Sequence, residues 1–307
     1  MREISIGTRG SKLAVIQTEL LLTKLREASP GLKARLIKIT TIGDRYSTTA
    51  LDKFAGQGIF VKELEKALID GKIDLATHSL KDLPTEIPDG LMLGAITARL
   101  DPRDVLVSRV GKIAELVPGS KIGTGSHRRA VQLHALRPDL KVCNIRGNID
   151  TRLRKVSDGT VDGIIIAAAA MIRLGWEDRI TEYLSTEHFT PSVGQGALGL
   201  EIRSGDKEIA SLACKINHET TRQCITAERA FLQTLGGGCR APIAALGTVT
   251  DGVLKLDGMV ASADGKHIVR ASEEGNASTP EQIGKRLAQK IIGQCDSNSL
   301  PFHCQST

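Results

Sequence analysis

The sequence contains few aromatic residues: five Phe, two Tyr and one Trp among 307 residues, or 3%. Proteins that bind single-stranded nucleic acid stack bases on aromatic side chains, so this scarcity argues against that class. The cores must instead be built from Leu, Ile, Val and Ala. Hydrophobic residues make up 41% and charged residues 25%, as in ordinary soluble globular proteins, and the length allows two or three domains.

The sequence also lacks the spacings of a metal site or a disulfide framework. It has six cysteines but no CxxC pair, and its seven histidines have no metal-site spacing to them. No apolar run reaches about 18 residues, and the N-terminus lacks the apolar stretch of a signal peptide. We therefore expect a reduced, cytoplasmic protein with free thiols and no membrane partner.

The sequence also lacks a large excess of positive or negative charge. The formal net charge is +6, which is compatible with an acidic ligand. The positive charges are too few and too dispersed to predict a DNA-binding face, so we expect no nucleic-acid partner.

The hydrophobic pattern predicts an α/β fold, because short apolar runs bounded by turn residues alternate with amphipathic stretches. Strands are predicted at residues 4–7, 34–39, 73–77, 91–96, 105–107, 121–123, 141–145 and 163–168. Helices are predicted at residues 12–27, 60–70, 128–137 and 149–158. The short connections favour parallel sheets with helices on both faces.

The pattern changes near residues 217–219, where we place the start of a small α+β domain. A helix is predicted at residues 220–235, strands at 245–249, 253–261 and 267–273, and a last helix at 279–292. Asp251-Gly252 is a strong hairpin signal between two of these strands. The tail, residues 295–307, has no periodicity and is predicted to be disordered. Segments 101–104 and 191–196 are predicted to cross between two earlier lobes.

Basic side chains gather where the predicted strands end. The segments are residues 8–11, 78–84, 124–129 and 146–148, the last followed by Arg152. Open α/β sheets bind ligands at this edge, and helix N-termini and arginine side chains favour anionic groups. One such arginine is usually only solvated, but four equivalent places predict a cleft for a ligand with several anionic groups.

Lys81 and Asp82 lie side by side in one of these segments. A carboxylate beside an ammonium group, flanked by Leu80 and Leu83, is suited to acid–base catalysis or to balancing a cationic intermediate. The alternative is a surface ion pair at a turn, which contributes little energy. The segment alone, without the surrounding motifs, favours the surface ion pair.

Cys239 follows three consecutive glycines and precedes Arg240. Glycines allow a bulky group to approach the backbone closely, and the neighbouring arginine favours the thiolate, which is the nucleophilic form. The alternative is a tight turn that holds a half-buried cysteine. On this segment alone the two interpretations have equal weight.

Together these segments resemble the hydroxymethylbilane synthase family, whose members are also called porphobilinogen deaminases. The motifs are TRGS (8–11), GQGIFVKELE (56–65), HSLKDLP (78–84), DPRD (101–104), GSHRR (125–129), IRGNIDTRL (145–153), RLG (173–175), VGQGALG (193–199), AERAF (227–231) and GGGC (236–239). They occur in the family's order over nearly the whole chain.

The resemblance implies two periplasmic-binding-protein-like α/β lobes with crossing strands and a third, α+β domain. The first lobe would contain residues 1–98 and 196–216, with the catalytic aspartate and a mobile loop. The second, arginine-rich lobe would contain residues 99–195. The third domain, residues 217–294, would carry the cysteine loop. The family expectation for the oligomeric state is a monomer.

The resemblance also implies the chemistry and the site. Cys239 would carry a dipyrromethane cofactor through a thioether, and Asp82 would be the catalytic carboxylate that promotes loss of ammonia from the substrate porphobilinogen. Four condensations would give linear hydroxymethylbilane for tetrapyrrole and heme biosynthesis. Residues at the family's carboxylate-binding positions are Arg9, Ser11, Lys53, Lys81, Ser126, Arg128, Arg129, Arg146, Arg152, Arg173 and Gln195.

Three positions depart from the family pattern. Gly125 stands where the family often has Ser, Gln57 replaces a frequent Lys in the mobile loop, and His127 replaces an apolar residue. The first change removes one hydroxyl contact to the cofactor, and the second is expected to weaken substrate capture.

Two other functions compete with this interpretation. An anion-binding module would share the two-lobed architecture and would need neither Asp82 nor Cys239, since fold does not fix function. A thiol enzyme would use a free Cys239 thiolate as its nucleophile, but no histidine motif lies near it in the sequence.

Overall fold

The computed structural model describes residues 2–41, 61–236, 241–262 and 264–294. Their contacts divide them into two units. The first contains the described residues up to Leu100 together with Ala197–Arg222, and the second contains Asp101–Gly196 with the described residues from Gln223 onward. The predictions for Lys53, Gln57, the Cys239 thiol and the tail lie outside the described residues.

The described helices and strands alternate through most of the chain. In order they are β1 (Ile4–Arg9), α1 (Lys12–Ala28), β2 (Ala34–Ile39), α2 (Lys62–Ile69), β3 (Leu75–Ser79), β4 (Leu91–Ile96), β5 (Asp104–Ser108), β6 (Lys121–Gly123), α3 (His127–Leu136), β7 (Lys141–Cys143), α4 (Ile149–Ser157), β8 (Gly163–Ala167), α5 (Ala168–Leu174), β9 (Glu182–Tyr183), β10 (Leu198–Arg203), α6 (Lys207–Cys214), α7 (Glu219–Thr234), β11 (Ile243–Thr250), β12 (Val253–Ala261), β13 (Ile268–Asn276) and α8 (Pro280–Gln294). Two short 3-10 turns lie at Leu80–Asp82 and Glu177–Arg179.

The first unit is organised around a five-stranded sheet with the order β2-β1-β3-β10-β4. β1 pairs in parallel with β2 and β3, whereas β10 runs antiparallel to β3 and β4. On one face, Leu21 and Leu25 of α1 pack with Ile6 and Leu200. On the other face, α2 contributes Leu64 and its neighbours to a second core cluster. Helices therefore cover both faces, as predicted.

The second unit contains a sheet of the same size, with the order β7-β6-β8-β5-β9. All five residues of β8 are buried, which explains its uninterrupted apolar sequence between two helical layers. β6 pairs in parallel with β7 and β8, and β5 runs antiparallel to β8 and β9.

The same unit contains a three-stranded antiparallel sheet, β11-β12-β13. Phe231 of α7 and Leu287 of α8 are fully buried against it. Asp251 and Gly252 both have positive φ, 50° and 77°, and they join β11 to β12 as a two-residue hairpin. The hairpin prediction is therefore confirmed.

The predicted α/β fold class is confirmed: two five-stranded mixed sheets with helices are accompanied by a small α+β region. The expectation of parallel sheets is wrong for β5 and β10, which run antiparallel to their neighbours. A strand that enters its sheet from a distant part of the chain is not joined to its neighbours by a crossover helix, so its direction is not fixed to parallel. The sequence pattern also does not predict β10 or α6.

The chain changes from one unit to the other after Leu100, after Gly196 and after Arg222. The first two points lie at the predicted crossing segments, and the third lies a few residues beyond the expected start of the C-terminal domain. By contacts, the three-stranded sheet belongs with the second unit. The division into three domains therefore stays a prediction.

Candidate active site

Asp82 is the last residue of the 3-10 turn that follows β3. Leu80 and Leu83 on either side of it are buried and anchor the turn. The Leu80 N–H donates to the Ala197 carbonyl at 3.1 Å, and the Leu83 N–H donates back to the Leu80 carbonyl at 3.2 Å. The Asp82 side chain is exposed, so a fixed backbone presents its carboxylate to solvent.

The end of β3 is held on both faces of its sheet. Gln17 of α1 donates to the Ser79 hydroxyl at 3.0 Å. On the opposite face, His78 Nε2 lies 3.0 Å from Glu201 Oε2 of β10, and both side chains are buried. The strand that leads into the Leu80–Asp82 turn is therefore fixed by hydrogen bonds from two neighbouring elements.

Arg9 and Ser11 lie where β1 ends and α1 begins. Arg9 is the last residue of β1 and is half-buried. Ser11 is the N-cap of α1, and its hydroxyl accepts from the Ala14 N–H at 3.4 Å. The first turn of α1 contains no acidic residue, so its N–H groups and dipole favour an anion there.

In the second unit, Asp104 at the start of β5 is the centre of a buried ion-pair network. Arg128 Nη2 donates to Asp104 Oδ2 at 2.8 Å. Arg129 contacts Asp104 Oδ1 through Nε at 3.0 Å and Nη2 at 2.7 Å. Complete burial alone would raise the pKa of Asp104, but the two guanidinium groups hold it well below its usual value.

Gln195 and Ser126 belong to the same network. The Gln195 amide donates to Asp104 Oδ1 at 2.9 Å and to the Pro102 carbonyl at 2.7 Å. The Ser126 hydroxyl caps α3 and accepts from the Arg129 N–H at 3.4 Å. The network thus connects both predicted crossing segments to the N-terminus of α3.

These contacts give four predicted ligand-binding residues an internal role that the sequence does not reveal. Arg128 and Arg129 are buried, and the carboxylate they contact in the structure is Asp104 rather than that of a ligand. Their role toward a ligand, like those of Gln195 and Ser126, stays a prediction. The DPRD motif contains Asp104, but the motif alone gives no sign that it is a buried partner for two arginines.

Arg146 and Arg152 lie around a glycine turn after β7. Gly147 has a φ of 108°, and Arg152 Nε donates to its carbonyl at 2.8 Å. This loop also explains Gly125: a Cβ at that position would lie 2.8 Å from the Ile145 carbonyl oxygen. The absence of Ser at 125 therefore has a local steric reason in this chain.

Arg173 lies in the last turn of α5 and is half-buried. Its Nη2 donates to the Gly196 carbonyl at 2.7 Å. Burial lowers the pKa of Arg173 to about 10. Across the described parts of the chain, no carboxylate pairs with this guanidinium. It is therefore a desolvated cation to which an anionic ligand would supply the missing partner.

Among the described residues, no helix is long and apolar enough to cross a membrane. No group of three His, Cys, Asp or Glu side chains in those ranges is arranged to hold a metal ion.

The two larger sheets, with arginines and helix N-termini at their strand ends, define a class of protein. It is an α/β protein with basic side chains near the strand ends of its two larger sheets. Two solved structures resemble it weakly in fold. The periplasmic VFT2 domain of BvgS from Bordetella pertussis is 16% identical, with a TM-score of 0.42 over 70% of this chain and 86% of its own. A nutrient binding protein from Burkholderia cenocepacia is 13% identical, with a TM-score of 0.42 over 69% and 90%.

Sequence comparison identifies the family. Residues 4–211 match the porphobilinogen deaminase dipyrromethane cofactor binding domain, and residues 222–293 match the porphobilinogen deaminase C-terminal domain. Porphobilinogen deaminase from Alkaliphilus metalliredigens is 49% identical over 95% of this chain and 93% of its own. The protein of that name from Pelotomaculum thermopropionicum is 48% identical over 95% and 94%. The chain therefore belongs to the porphobilinogen deaminase family, as its motifs predicted, and it is an enzyme.

We expect Asp104→Asn to lower the free energy of unfolding by about 3–5 kcal/mol, because it leaves two buried guanidinium groups without their counter-ion. Denaturant titration would measure this. The pKa of Asp104 is lowered on folding, so its contribution should be complete at neutral pH and lost only as the pH falls below about 4. Asp139→Asn, which removes the exposed partner of Arg137, is the control and should change stability little. Equal effects of the two variants would contradict the central role of Asp104.

Proposed function

We propose that this chain catalyses the reaction for which its family is named, with Asp82 as the catalytic carboxylate. Four porphobilinogen molecules are joined head to tail into linear hydroxymethylbilane, and one ammonia is released at each joining step. The product serves tetrapyrrole biosynthesis. Support comes from the cofactor-binding-domain match over residues 4–211 and from relatives that align along 95% of the chain.

Each joining step breaks the bond between the aminomethyl carbon and the protonated nitrogen of the substrate, and one water is consumed when the finished hydroxymethyl product is released. The bonding electrons leave with the nitrogen as ammonia, and the methylene-pyrrole becomes positively charged. A new carbon–carbon bond then forms at the free α-carbon of another pyrrole, which loses its proton. The exposed Asp82 carboxylate, fixed by the buried Leu80 and Leu83, is suited to stabilise the positive charge while it exists.

The partly buried guanidinium of Arg173, which has no carboxylate partner among the described residues, is the observation that carries the assignment of an anionic ligand. Each pyrrole of the substrate and of the dipyrromethane carries an acetate and a propionate, and a buried guanidinium with a pKa lowered to about 10 gains most from such a partner. We assign Arg9, Lys81, Arg146 and Arg152 to the same role. Ser11, Ser126, Arg128, Arg129 and Gln195 would support them, together with Lys53, which lies outside the described residues.

The described residues also fit the dipyrromethane cofactor, because its four carboxylates would find cationic partners such as Arg146, Arg152 and Arg173 within the second unit. When bound, the cofactor supplies the pyrrole carbon to which the first substrate is joined. We assign its thioether attachment to Cys239, which lies outside the described residues. In this assignment, the arginines hold the acidic side chains and Asp82 acts on the reacting methylene group.

The remaining features of the proposal follow the family expectation. The chain would function as a cytoplasmic monomer whose partner is the small molecule porphobilinogen, without nucleic acid or membrane. Its three domains would be residues 1–98 with 196–216, residues 99–195 and residues 217–294. The change of contact unit at Leu100 and Gly196 supports the first division.

The attachment is tested by the intact mass of the purified protein together with peptide mapping. We expect an added mass of two deaminated porphobilinogen units on the peptide that contains Cys239. A Cys239 peptide that stays unmodified and alkylatable after incubation with porphobilinogen would contradict the attachment and would favour the anion-binding module or the thiol enzyme.

The catalytic assignment is tested with Asp82→Asn, which keeps the shape of the side chain but removes its charge. We expect the intact mass and thermal stability of this variant to match those of the parent. Its kcat for ammonia release should fall by about 100-fold or more, because removing one charge-stabilising group from a site costs roughly this much. Asp89→Asn, at an exposed carboxylate in the same unit, is the control. Normal turnover by Asp82→Asn would overturn the assignment.

For Arg173→Met we expect kcat/KM for porphobilinogen to fall about 10- to 100-fold, since a hydrogen bond to a charged group contributes about 1.5–3 kcal/mol. Burial disfavours the charge of Arg173, so thermal stability should change little. Arg179→Met is the control, because Arg179 is exposed and stacks on Trp176 at 4.9 Å. Steady-state kinetics and thermal melts would measure both quantities. A normal kcat/KM in Arg173→Met would show that this arginine does not bind the ligand.

A further inference from the structure

Two buried titratable side chains lie behind the catalytic turn, and the mechanism above does not use them. His78 Nε2 is 3.0 Å from Glu201 Oε2, with side-chain exposures of 4% and 0%. One proton must lie between these two atoms, because neither a bare imidazole nitrogen nor a carboxylate oxygen can donate without one. The hydrogen bond therefore joins the two side chains at a set distance in the interior, with either the imidazole or the carboxyl group as its donor.

A third titratable group faces this pair. Glu65 of α2 is also buried. Desolvation and the negative charge of Glu201 raise the pKa of Glu65. The positive charges of His78 and Lys62 partly offset this rise. Glu201 Oε1 is buried and has no hydrogen-bond partner among the described residues. Two carboxylates and one imidazole thus lie close together in the interior between α2 and the sheet. An apolar set of side chains would fill this space at lower electrostatic cost.

The pair joins two strands at the place where the catalytic turn begins. Gly199 of β10 is in register with His78, and Leu198 is in register with Ser79, the last residue of β3. Leu80, the first residue of the turn, packs directly over Gly199, where even a single added carbon would overlap its side chain. Any movement of β10 against β3 would therefore move Leu80 and, two residues later, Asp82.

We propose that His78 and Glu201 are positioning residues that fix the Asp82 carboxylate by locking β10 to the end of β3. This inference rests on the catalytic role proposed for Asp82. A directional hydrogen bond sets the relative position of two strands, whereas apolar contacts allow small shifts. Charge stabilisation depends on the carboxylate being in place before the positive charge develops, and a displacement of about 1 Å can cost about 100-fold in rate.

The test compares two replacements of His78 that have similar size. Gln at position 78 keeps an N–H donor near the position of Nε2, whereas Met fills the space without a donor. For each variant we would measure the single-turnover rate constant for ammonia release, normalised to the fraction of molecules that carry the cofactor. The KM for porphobilinogen would be measured separately. Loading is determined by intact mass and stability by thermal melting.

The matched control is Asp74→Asn. Asp74 is a buried carboxylate directly before β3, at the opposite end of this strand from Asp82, and it accepts from the Ser5 N–H and hydroxyl at 2.8 Å each. Asp74 also pairs with Arg2 at 2.8 Å and Arg203 at 3.3 Å, so its replacement weakens the same strand by at least as many contacts as the loss of the His78 hydrogen bond. A general effect of weakening β3 would therefore appear in this variant as well.

We expect His78→Met to slow ammonia release about 10- to 100-fold with a nearly unchanged KM, because the turn acts on the transition state rather than on substrate capture. His78→Gln should stay within a few-fold of the parent rate, and Asp74→Asn should keep it. If His78→Met does not accumulate, the double variant His78→Met/Glu201→Met removes the buried charge as well and provides a folded protein without the hydrogen bond.

The outcomes separate this inference from the proposed function. A normal rate for the variant without the hydrogen bond, or an equal loss in Asp74→Asn, would overturn the positioning role. Equal loss in His78→Gln and His78→Met would also overturn it, because the retained donor would then have no effect. Asp82→Asn is measured in parallel. If it is active, the proposed function itself fails, whatever the His78 variants do.

Discussion

The second unit depends on the burial of the Asp104 carboxylate between two guanidinium groups. Removing three charges from water is costly, and the structure offsets that cost with hydrogen bonds from Arg128, Arg129 and Gln195 to a single carboxylate. The network fixes the start of β5, the segment that contains Gln195 and the first turn of α3 relative to one another. Those segments contain Ser126, Arg128, Arg129 and Gln195, which we propose to support ligand binding.

Arg173 is a half-buried cation whose situation is the opposite of that of Arg128 and Arg129. Arg128 and Arg129 have an internal counter-ion, whereas in the described residues Arg173 has only a backbone carbonyl as its partner. The first arrangement stabilises the protein and holds its geometry. The second leaves an energetic deficit that an acidic ligand can remove, and for this reason it supports the proposed binding role of Arg173 more directly than the number of arginines near strand ends does.

Much of the fold could be predicted from local patterns. The bounds of β2, β4, β6 and β12 agree with their predictions, because alternating or continuous apolar runs end at clear turn residues. The direction of β10 could not be predicted, since it depends on strands that lie more than a hundred residues earlier in the chain. The same holds for the contacts of Arg128 and Arg129: the sequence shows two arginines at a helix start but not the carboxylate they meet.

The sequence by itself determined the α/β class, the family and the residues that would carry its chemistry, because these depend on short segments whose order and spacing are visible in one dimension. Only the tertiary structure decided which charges neutralise each other. It paired Arg129 with Asp104 and His78 with Glu201, and among the described residues it left Arg173 without a carboxylate. The physical reason is that desolvation and ion pairing depend on distance in space and on burial, and neither can be read from positions along the chain.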